Sequence, residues 1–189
     1  MSTVKTVNLQ HPSSGSPNLV LNADGSVTGI GLVAVKHALF TGTQTNSTAA
    51  GANFAVTDLS ITHTLADSSN KLIISAYFGA AGNADGEGQV GIAVADDGTL
   101  IGIGDAASNR VRVGAGGIIY DANSTLVVTM PSVTFVYEPG DTNSHTYTVR
   151  AINISSGTNT VYINRSQSDT NTQDRSRASS GFVIQEVKV

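Results

Sequence analysis

Cysteine and tryptophan are both missing from this 189-residue chain, and charged residues make up only 13% of it. Without cysteine the chain has no disulfide framework, no thiolate nucleophile and no thiolate-ligated metal, so burial must supply its stability. The lack of tryptophan removes the best aromatic platform for stacking a sugar. The charged share is about half of that in ordinary soluble domains, while Gly, Ser, Thr and Asn are abundant. Such a surface suits dense packing in an assembly.

The charges that are present argue against two classes of partner. The net charge is −4 at pH 7, and the ten Lys and Arg residues are scattered, whereas nucleic-acid binders concentrate theirs in a patch. No apolar run approaches the roughly 18 residues of a membrane span, and the amino terminus lacks a signal-peptide pattern. We therefore expect no nucleic-acid partner and no membrane insertion, and a chain that stays in a cytoplasm until it is assembled.

Alternating hydrophobicity predicts that most of the chain folds into β-strands. Large apolar residues recur at every second position in the runs 90–95 and 133–138, which is the period of a half-buried strand. Turn signals rich in Gly, Asp and Asn separate these runs at intervals typical of sandwiches. No stretch has a convincing helical period. The sequence predicts one main all-β domain of sandwich type.

Irregularities in the alternation predict finer features of the strands. The apolar residues move from even to odd positions at 57–58, and from odd to even positions near 150–151. One inserted residue turns every later side chain of a strand to the opposite face. Both changes therefore predict β-bulges. The runs 71–76 and 181–184 are apolar on both sides, which predicts central strands covered on two faces.

Two glycine-rich runs, 29–34 and 102–107, loosely match a dinucleotide-binding pattern. That pattern works only when a helix follows directly and holds the pyrophosphate at its amino terminus. The sequence predicts strands there instead, over 33–39 and 110–113. We interpret these glycines as positions of close packing or bulges.

Metal-binding signals are weak. The histidines are His11, His37, His63 and His145. They lie too far apart in the sequence to form a closely spaced set of metal ligands. His63 falls at the same alternating positions as Ile61 and Leu65, which predicts a buried, hydrogen-bonded histidine rather than a metal ligand. The acidic pairs Asp85/Glu87 and Asp96/Asp97 leave calcium open, although neither has the spaced ligands of an EF-hand. We predict no other cofactor.

No catalytic arrangement is visible in the sequence. A serine-hydrolase elbow is absent, and a glycosidase would need two carboxylates held about 5 to 9 Å apart in a cleft. Asp58, Glu138 and Asp141 are carboxylates that nothing in the sequence brings together. We expect the chain not to be an enzyme.

The first thirty residues are polar, turn-rich and extended. Pro12 and Pro17 exclude a helix, and Asp24-Gly25 gives a tight-turn signal between two short apolar runs. The segment Gln-His-Pro-Ser-Ser-Gly-Ser-Pro-Asn, which begins at Gln10, resembles the leader segments of bacteriophage tail-fibre and other virion-appendage proteins. We predict an extended leader over 1–31.

The remaining residues carry a second resemblance. The order of strands at 54–65, 71–75, 144–150 and 182–187, the last with Glu186 between aliphatic residues, is similar to a β-sandwich of structural proteins from marine and freshwater phages. The resemblance implies a trimeric, jelly-roll-like module used at appendage tips or on capsid surfaces. The body then spans 32–189, with a β-rich insert near 79–122 that departs from the commonest form.

These features together predict a virion structural protein, a homotrimeric tail-fibre or appendage-tip component that contributes to host attachment. The alternative is a capsid decoration, or cement, protein that locks neighbouring shell proteins. A polysaccharide-degrading enzyme ranks below both. We expect the leader to dock on other virion proteins through Val7, Leu9, His11, Pro12, Pro17, Leu19 and Leu21.

Host contact is expected on polar loops that share one end of the sandwich, far from the leader, because a rigid scaffold presents variable loops together. The partner would be a glycan of the host cell surface, since these loops offer amides and charges for sugar hydrogen bonds. The candidate residues are Asp85, Glu87, Asp141, Asn143, Asp174, Arg175 and Arg177.

Overall fold

A computed structural model describes the backbone of residues 7–9, 19–21, 27–28, 31–81, 89–118 and 125–188. These residues form β-strands and no helix, so the predicted all-β class is confirmed and no described helix could span a membrane. The strands are β1 Val7–Leu9, β2 Leu19–Leu21, β3 Val27–Thr28, β4 Leu32–Phe40, β5 Gln44–Thr48, β6 Asn53–Thr64, β7 Lys71–Tyr77, β8 Ala80–Ala81, β9 Gln89–Asp96, β10 Thr99–Ile101, β11 Ala115–Ile118, β12 Ser132–Tyr137, β13 Ser144–Asn153, β14 Asn159–Ile163 and β15 Ser180–Val187.

Two antiparallel sheets pack face to face in a sandwich-like arrangement. One has the strand order β10-β9-β13-β6, with β11 also paired to β9, and we call it the hydroxyl sheet for reasons given below. The other has the order β12-β7-β15-β4 and is called the apolar sheet. Neighbouring strands are mostly far apart in sequence, so the chain crosses between the sheets repeatedly. Two small sheets, β5-β14-β8 and β1-β2-β3, complete the described strands.

The core lies between the two sheets and is built from the inward-facing half of each strand. In β7, and in β15 from Phe182 onwards, every second residue is buried while its neighbours are at least partly exposed, as the period of two requires. The largest fully buried side chains include Leu59, Leu72, Ile74, Ile92, Tyr147, Phe182 and Ile184. These residues come from both sheets, so the core is shared between them.

A β-bulge interrupts β6 where the sequence predicts one. The register between β6 and β13 shifts between Thr148 and Arg150, and Asp58 has a φ of 58°. The Gln44 side chain in β5 hydrogen-bonds the backbone beside the bulge, accepting from Thr57 N at 2.8 Å and donating to Ala55 O at 3.0 Å. The bulge turns the later apolar residues of β6 back towards the core.

The second predicted bulge, near Arg150-Ala151, is absent from the described pairing of β13 with β9, whose register runs unbroken from Tyr147 to Asn153. Ile152 is instead buried on the outer side of the sheet, where it lies beside the segment 102–114. The apolar residues move from odd to even positions here because both faces of β13 are covered at this point. Covered strands lose the simple alternation on which the prediction depended.

The segment 102–114 covers the outer face of β9. Gly114 N donates to Ile92 O at 2.8 Å, and Val113 lies so close to Gly91 that a Cβ there would collide with it. The predicted strand over 110–113 is wrong, since β11 begins at Ala115. The predicted strand over 33–39 lies within β4, and no described helix follows either glycine-rich run.

The outer faces of the two main sheets differ in chemistry. On the hydroxyl sheet, Ser60 bonds Thr148 and Thr62 bonds Thr146, each pair at 3.1 Å between hydroxyl oxygens. On the apolar sheet, β7 and β15 are the two central strands, as predicted. Their expected cover on a second face is not found among the described residues. Large apolar side chains are exposed there instead, namely Val35 at 52%, Leu39 at 58%, Tyr77 at 37% and Val136 at 60%. The same face also carries one hydroxyl pair, Ser75 with Thr134 at 3.0 Å.

The strand registers define two ends of the sandwich. At the proximal end β4 begins, and Lys188 N donates to Gly31 O just after the leader. The turn between β6 and β7, the turn between β9 and β10 and the loop 138–143 also lie at this end, because Val187 pairs with both Leu32 and Lys71. At the distal end Gly181 pairs with Tyr77. With strands of about eight residues, the ends are roughly 25 Å apart.

The predicted leader contains the small sheet of β1, β2 and β3. Val7 pairs with Leu21, and Leu21 pairs with Val27, so all three strands run antiparallel. The Asp24-Gly25 turn signal lies between β2 and β3 in the sequence. The range 79–122, expected as an insert, contributes β9, which lies between β10 and β13 in the hydroxyl sheet.

Candidate functional site

Three carboxylates surround one imidazole at the proximal end. β9 ends at Asp96, and Asp97 and Gly98 form the two-residue turn into β10 with φ values of 45° and 90°. Positive φ at both positions is the signature of a type I′ hairpin turn. This turn holds both aspartates beside His145 in β13, and the loop before β13 brings Asp141 to the other side of the ring.

The contacts of His145 use both ring nitrogens. Nδ1 lies 2.9 Å from Oδ1 of Asp96 and 3.3 Å from Oδ2 of Asp97, and Nε2 lies 3.0 Å from Oδ1 of Asp141. A neutral imidazole carries one N–H and donates on one side only, so both sides are satisfied when the ring is an imidazolium. The hydrogen bond to Asp141, opposed by burial and aided by Asp96, raises the pKa of His145. Hydrogen bonds from Asn143 N and His145 lower the pKa of Asp141.

Two tyrosines anchor this His145 cluster to the core. Tyr137 Oη in the apolar sheet donates to Oδ2 of Asp96 at 2.8 Å, so the cluster joins the two sheets. Burial and this hydrogen bond raise the pKa of Tyr137 to about 12. The Tyr147 ring stacks on the imidazole with centroids 6.0 Å apart. The cluster is thus rigid on its inner side, while Asp97 is open to solvent.

The His145 cluster also has the donor set of a cation site. Asp96, Asp97 and His145 place three ligand atoms within 4.8 Å of one another. Calcium prefers oxygen ligands and imidazole suits transition metals, so this mixed set selects neither class strongly. The Asp96-Asp97 pair was the sequence signal for calcium, and the sequence did not indicate His145 as its neighbour. Each of these ligand atoms already has a hydrogen-bond partner, so the cluster is complete as an internal clamp.

A second network buries Glu186 between the sheets. Its Oε1 accepts from Asn70 Nδ2 at 2.6 Å and Ala66 N at 2.8 Å, and its Oε2 lies 2.9 Å from His63 Nε2. Burial raises the pKa of Glu186, but the hydrogen bonds from Asn70, Ala66 and His63 outweigh it and hold the pKa below its ordinary value. The prediction of a buried, hydrogen-bonded His63 is confirmed. This network is structural, because its three side chains, His63, Asn70 and Glu186, are buried.

The candidate host-contact residues fall at opposite ends of the sandwich. Asp141 and Asn143 lie at the proximal end, in the loop held by His145. Asp174, Arg175 and Arg177 lie in the loop 166–180, which leads into β15 at the distal end. The structure therefore brings Asp141 together with His145, and it does not bring the two loops together. Asp85 and Glu87 lie outside the described residues.

Ion pairs order the distal loop 166–180. Asp169 accepts from Arg165 at 3.0 Å and from Arg177 at 2.6 Å, and the backbones of these two arginines form an isolated β-bridge. Arg175 pairs with Asp174 at 2.6 Å. The predicted long polar loop is thus folded on itself by its own charges.

The docking residues predicted in the leader are only partly described. Val7, Leu9, Leu19 and Leu21 lie in β1 and β2, of which the backbone alone is described. His11, Pro12 and Pro17 lie outside the described residues. The docking prediction stays untested.

Two adjoining grooves lie beside the segment 102–114, one at the distal end near Gln89 and the other along β10 near Thr99. One has a volume of about 610 Å³ and the other about 510 Å³, and both are lined by Gly51, Asn109, Arg110 and Val111. Sequence reasoning missed this site. The spacing of Arg110 and Arg112 around one valine was a signal, but no pattern of residue types distinguishes it from an ordinary surface loop.

No protein-family model matches the chain, and a search of curated proteins finds no match.

Proposed function

We propose that this chain is a structural subunit of a bacteriophage virion, a homotrimeric component of a tail fibre or appendage tip that contributes to host attachment. The proposal joins the resemblance of the leader and body to phage proteins with one structural observation, the exposed apolar face. In this proposal the sandwich is a jelly-roll-like module, and the repeated crossing of the chain between the sheets agrees with that connectivity.

The outer face of the apolar sheet carries the proposal. The solvated face of an antiparallel sheet is normally polar, and the hydroxyl sheet of the same sandwich follows that rule. The apolar sheet instead exposes Val35, Leu39 and Val136, each more than half accessible. So many large apolar side chains exposed on one sheet face indicate a surface that another molecule covers, although the Ser75–Thr134 hydroxyl pair lies among them. Its few charges oppose association weakly, since Lys71 is paired with Glu138 at 2.6 Å.

The size of this face supports an assembly with a second contact. Four strands spaced about 4.8 Å apart and roughly 24 Å long cover on the order of 450 Å² in projection. A stable interface buries about 800 Å² from each partner. The leader supplies further contact in this proposal through its own three-stranded sheet, in which Val7 pairs with Leu21 and Leu21 pairs with Val27.

The positions of the two ends agree with a role in attachment. The leader joins at the proximal end, through Gly31 and β4, and would face the virion. The distal end then points away from the particle and carries the loop 166–180 with its exposed Arg177. A distal polar loop on a rigid sandwich is a common place for recognition.

Particle composition tests the proposal. Quantitative mass spectrometry of virions purified from the phage that encodes this chain should find it at tens of copies, in multiples of three. Light scattering of the isolated protein at micromolar concentration should give a trimer. Hundreds of copies per particle would instead favour a shell decoration protein. A chain absent from virions, or monomeric at all concentrations, would contradict the proposal.

A further inference from the structure

We infer that the two grooves beside Arg110 form a binding site for an acidic glycan, an oligosaccharide that carries carboxylate groups. The inference rests on the attachment role proposed above and names the ligand class for it. The larger groove lies at the distal end, where Gln89 at the start of β9 lines it, and this is the end that would face the host. The smaller groove adjoins it along the segment 102–114 and extends to Thr99 and Leu100 in β10.

The size of the grooves suits an oligosaccharide. Their volumes of about 610 and 510 Å³ fall in the range of roughly 300 to 1,000 Å³ typical of small-molecule sites. Because both are lined by Asn109, Arg110 and Val111, a ligand that occupied the two would cross this segment. A chain of a few sugar rings has the elongated shape needed to do so.

The charge of the site favours an anion. Among the described arginines outside the site, Arg150 bonds Asn53, and the three in and beside the distal loop bond carboxylates. The guanidinium of Arg110 bonds no described residue, and Arg112 uses only its Nε, on Gly104 O at 2.6 Å. Two guanidinium groups without a described carboxylate partner are conspicuous in a chain of net charge −4. Their planar donor forks match a carboxylate.

The segment that carries Arg110 is held in place before any ligand binds. Arg110 N donates to Ala107 O at 3.1 Å across a turn in which Ser108 has a φ of 51°. Gly104 N donates to Val113 O at 3.2 Å, which closes the base of the segment. A left-handed serine is a strained residue that the surrounding contacts must enforce. A loop fixed in this way loses little entropy on binding.

The remaining lining combines the two chemistries that a sugar presents. Gln89, Asn109 and Ser156 are polar residues of the kind that bond sugar hydroxyls. Val111, Val113 and Ile154 provide aliphatic surface for the C–H faces of the rings. Two arginines are too few to follow a phosphate backbone, so a nucleic acid fits this site poorly.

Titration of the full chain with trigalacturonic acid, monitored by ¹H–¹⁵N NMR, tests the inference, with neutral maltotriose as the comparison ligand. We expect trigalacturonate to shift amide signals of 107–113 and to bind at least tenfold more tightly than maltotriose. Arg110→Gln should weaken binding by about tenfold or more, the usual loss for a charge-assisted hydrogen bond. Lys36→Gln removes one positive charge from β4, in the other sheet and outside both grooves, and is the matched control.

Equal binding of the two trisaccharides, or equal weakening by Arg110→Gln and Lys36→Gln, would overturn the inference. Perturbed amide signals over the whole sheet in Arg110→Gln would indicate misfolding, and Arg112→Gln would then replace it in the same comparison, with the same expected loss. The outcome is separable from the proposed function. If the chain is present at tens of copies in virions but does not bind trigalacturonate, this inference alone is contradicted. If the chain binds trigalacturonate but is absent from virions, the proposed assembly role is contradicted instead.

Discussion

His145 is one residue that ties three separate segments together. Its ring connects the β9–β10 turn, β13 and the loop 138–143 through both nitrogens. The sequence could not reveal this, because Asp96, Asp141 and His145 come together only when β9 lies beside β13. Sequence reasoning identified the acidic turn and the histidine separately. The type I′ turn at Asp97-Gly98 was visible in the sequence as Asp-Gly, and it is what aims the two aspartates at the ring.

The His145 cluster predicts a loss of stability at alkaline pH. The folded pKa of His145 is raised, so its contribution is complete below the unfolded value near 6.5 and disappears as the pH rises through the folded pKa. We expect the free energy of unfolding, measured with urea, to fall from pH 6 towards pH 9. His145→Gln should remove most of this fall, and His37→Gln, at an exposed position, should not. A curve unchanged by His145→Gln would contradict the imidazolium clamp.

Glu186 gives a prediction at the opposite end of the pH scale. Its pKa is lowered on folding, so its contribution is present above the unfolded value near 4.3 and is lost as the pH falls through the folded pKa. Glu186→Gln should cost about 1–3 kcal/mol at pH 7, because it weakens hydrogen bonds to buried Asn70 and His63. Urea unfolding at pH 7 and pH 3 measures both effects. The difference between variant and parent should shrink at pH 3, and an equal difference at both values would count against a charged Glu186.

At the scale of single elements, alternation predicted most strands wherever one face of a strand meets the core. It located β12 and the bulge in β6, and it identified β7 and β15 as central strands. It failed where a loop covers the second face, as the segment 102–114 does over β9 and Ile152. A loop that covers a sheet has no regular alternation of apolar and polar residues in its own sequence. That is also why the Arg110 site was missed.

Close contact between Gly91 and Val113 predicts how the covering segment can be released. Gly91→Ala would place a methyl group against the Val113 side chain, and such overpacking typically costs about 1–3 kcal/mol. We expect faster trypsin cleavage after Arg110 and Arg112, together with a lower melting temperature. Gly104→Ala is the matched control in the same segment, because a Cβ there meets nothing within 4 Å. Similar cleavage rates for the two variants would show that Val113 does not pin the segment.

At the scale of the whole molecule, the sandwich class followed from sequence, but the contrast between its two outer faces did not. Val35, Leu39 and Val136 come from strands far apart in the chain, and only the strand order places them on one surface. The runs 71–76 and 181–184 are apolar at consecutive positions, and this pattern predicted that the central strands are covered on both faces of their sheet. In the described part of the chain, the face away from the core is open.

The apolar face predicts that assembly and stability are coupled. The melting temperature should rise with protein concentration, because subunit association stabilises the folded state by mass action. The double variant Val35→Lys/Val136→Lys should abolish this dependence and give a monomer in light scattering. Thr62→Lys/Thr148→Lys on the hydroxyl sheet adds the same charge and should leave assembly unchanged. Assembly lost in the second variant and kept in the first would place the interface on the other face.

The antiparallel pairing of β4 with β15 also has a mechanical consequence. β4 enters the sandwich at the proximal end and runs towards the distal end, with its backbone hydrogen bonds perpendicular to its length. A pull between the leader and a ligand held at the distal end would therefore load the whole ladder in shear, so that many bonds share the force at once. Tension applied across the strands would break them one after another. Single-molecule stretching should show higher rupture forces along the first direction, which is the one that drag on an attached particle would impose.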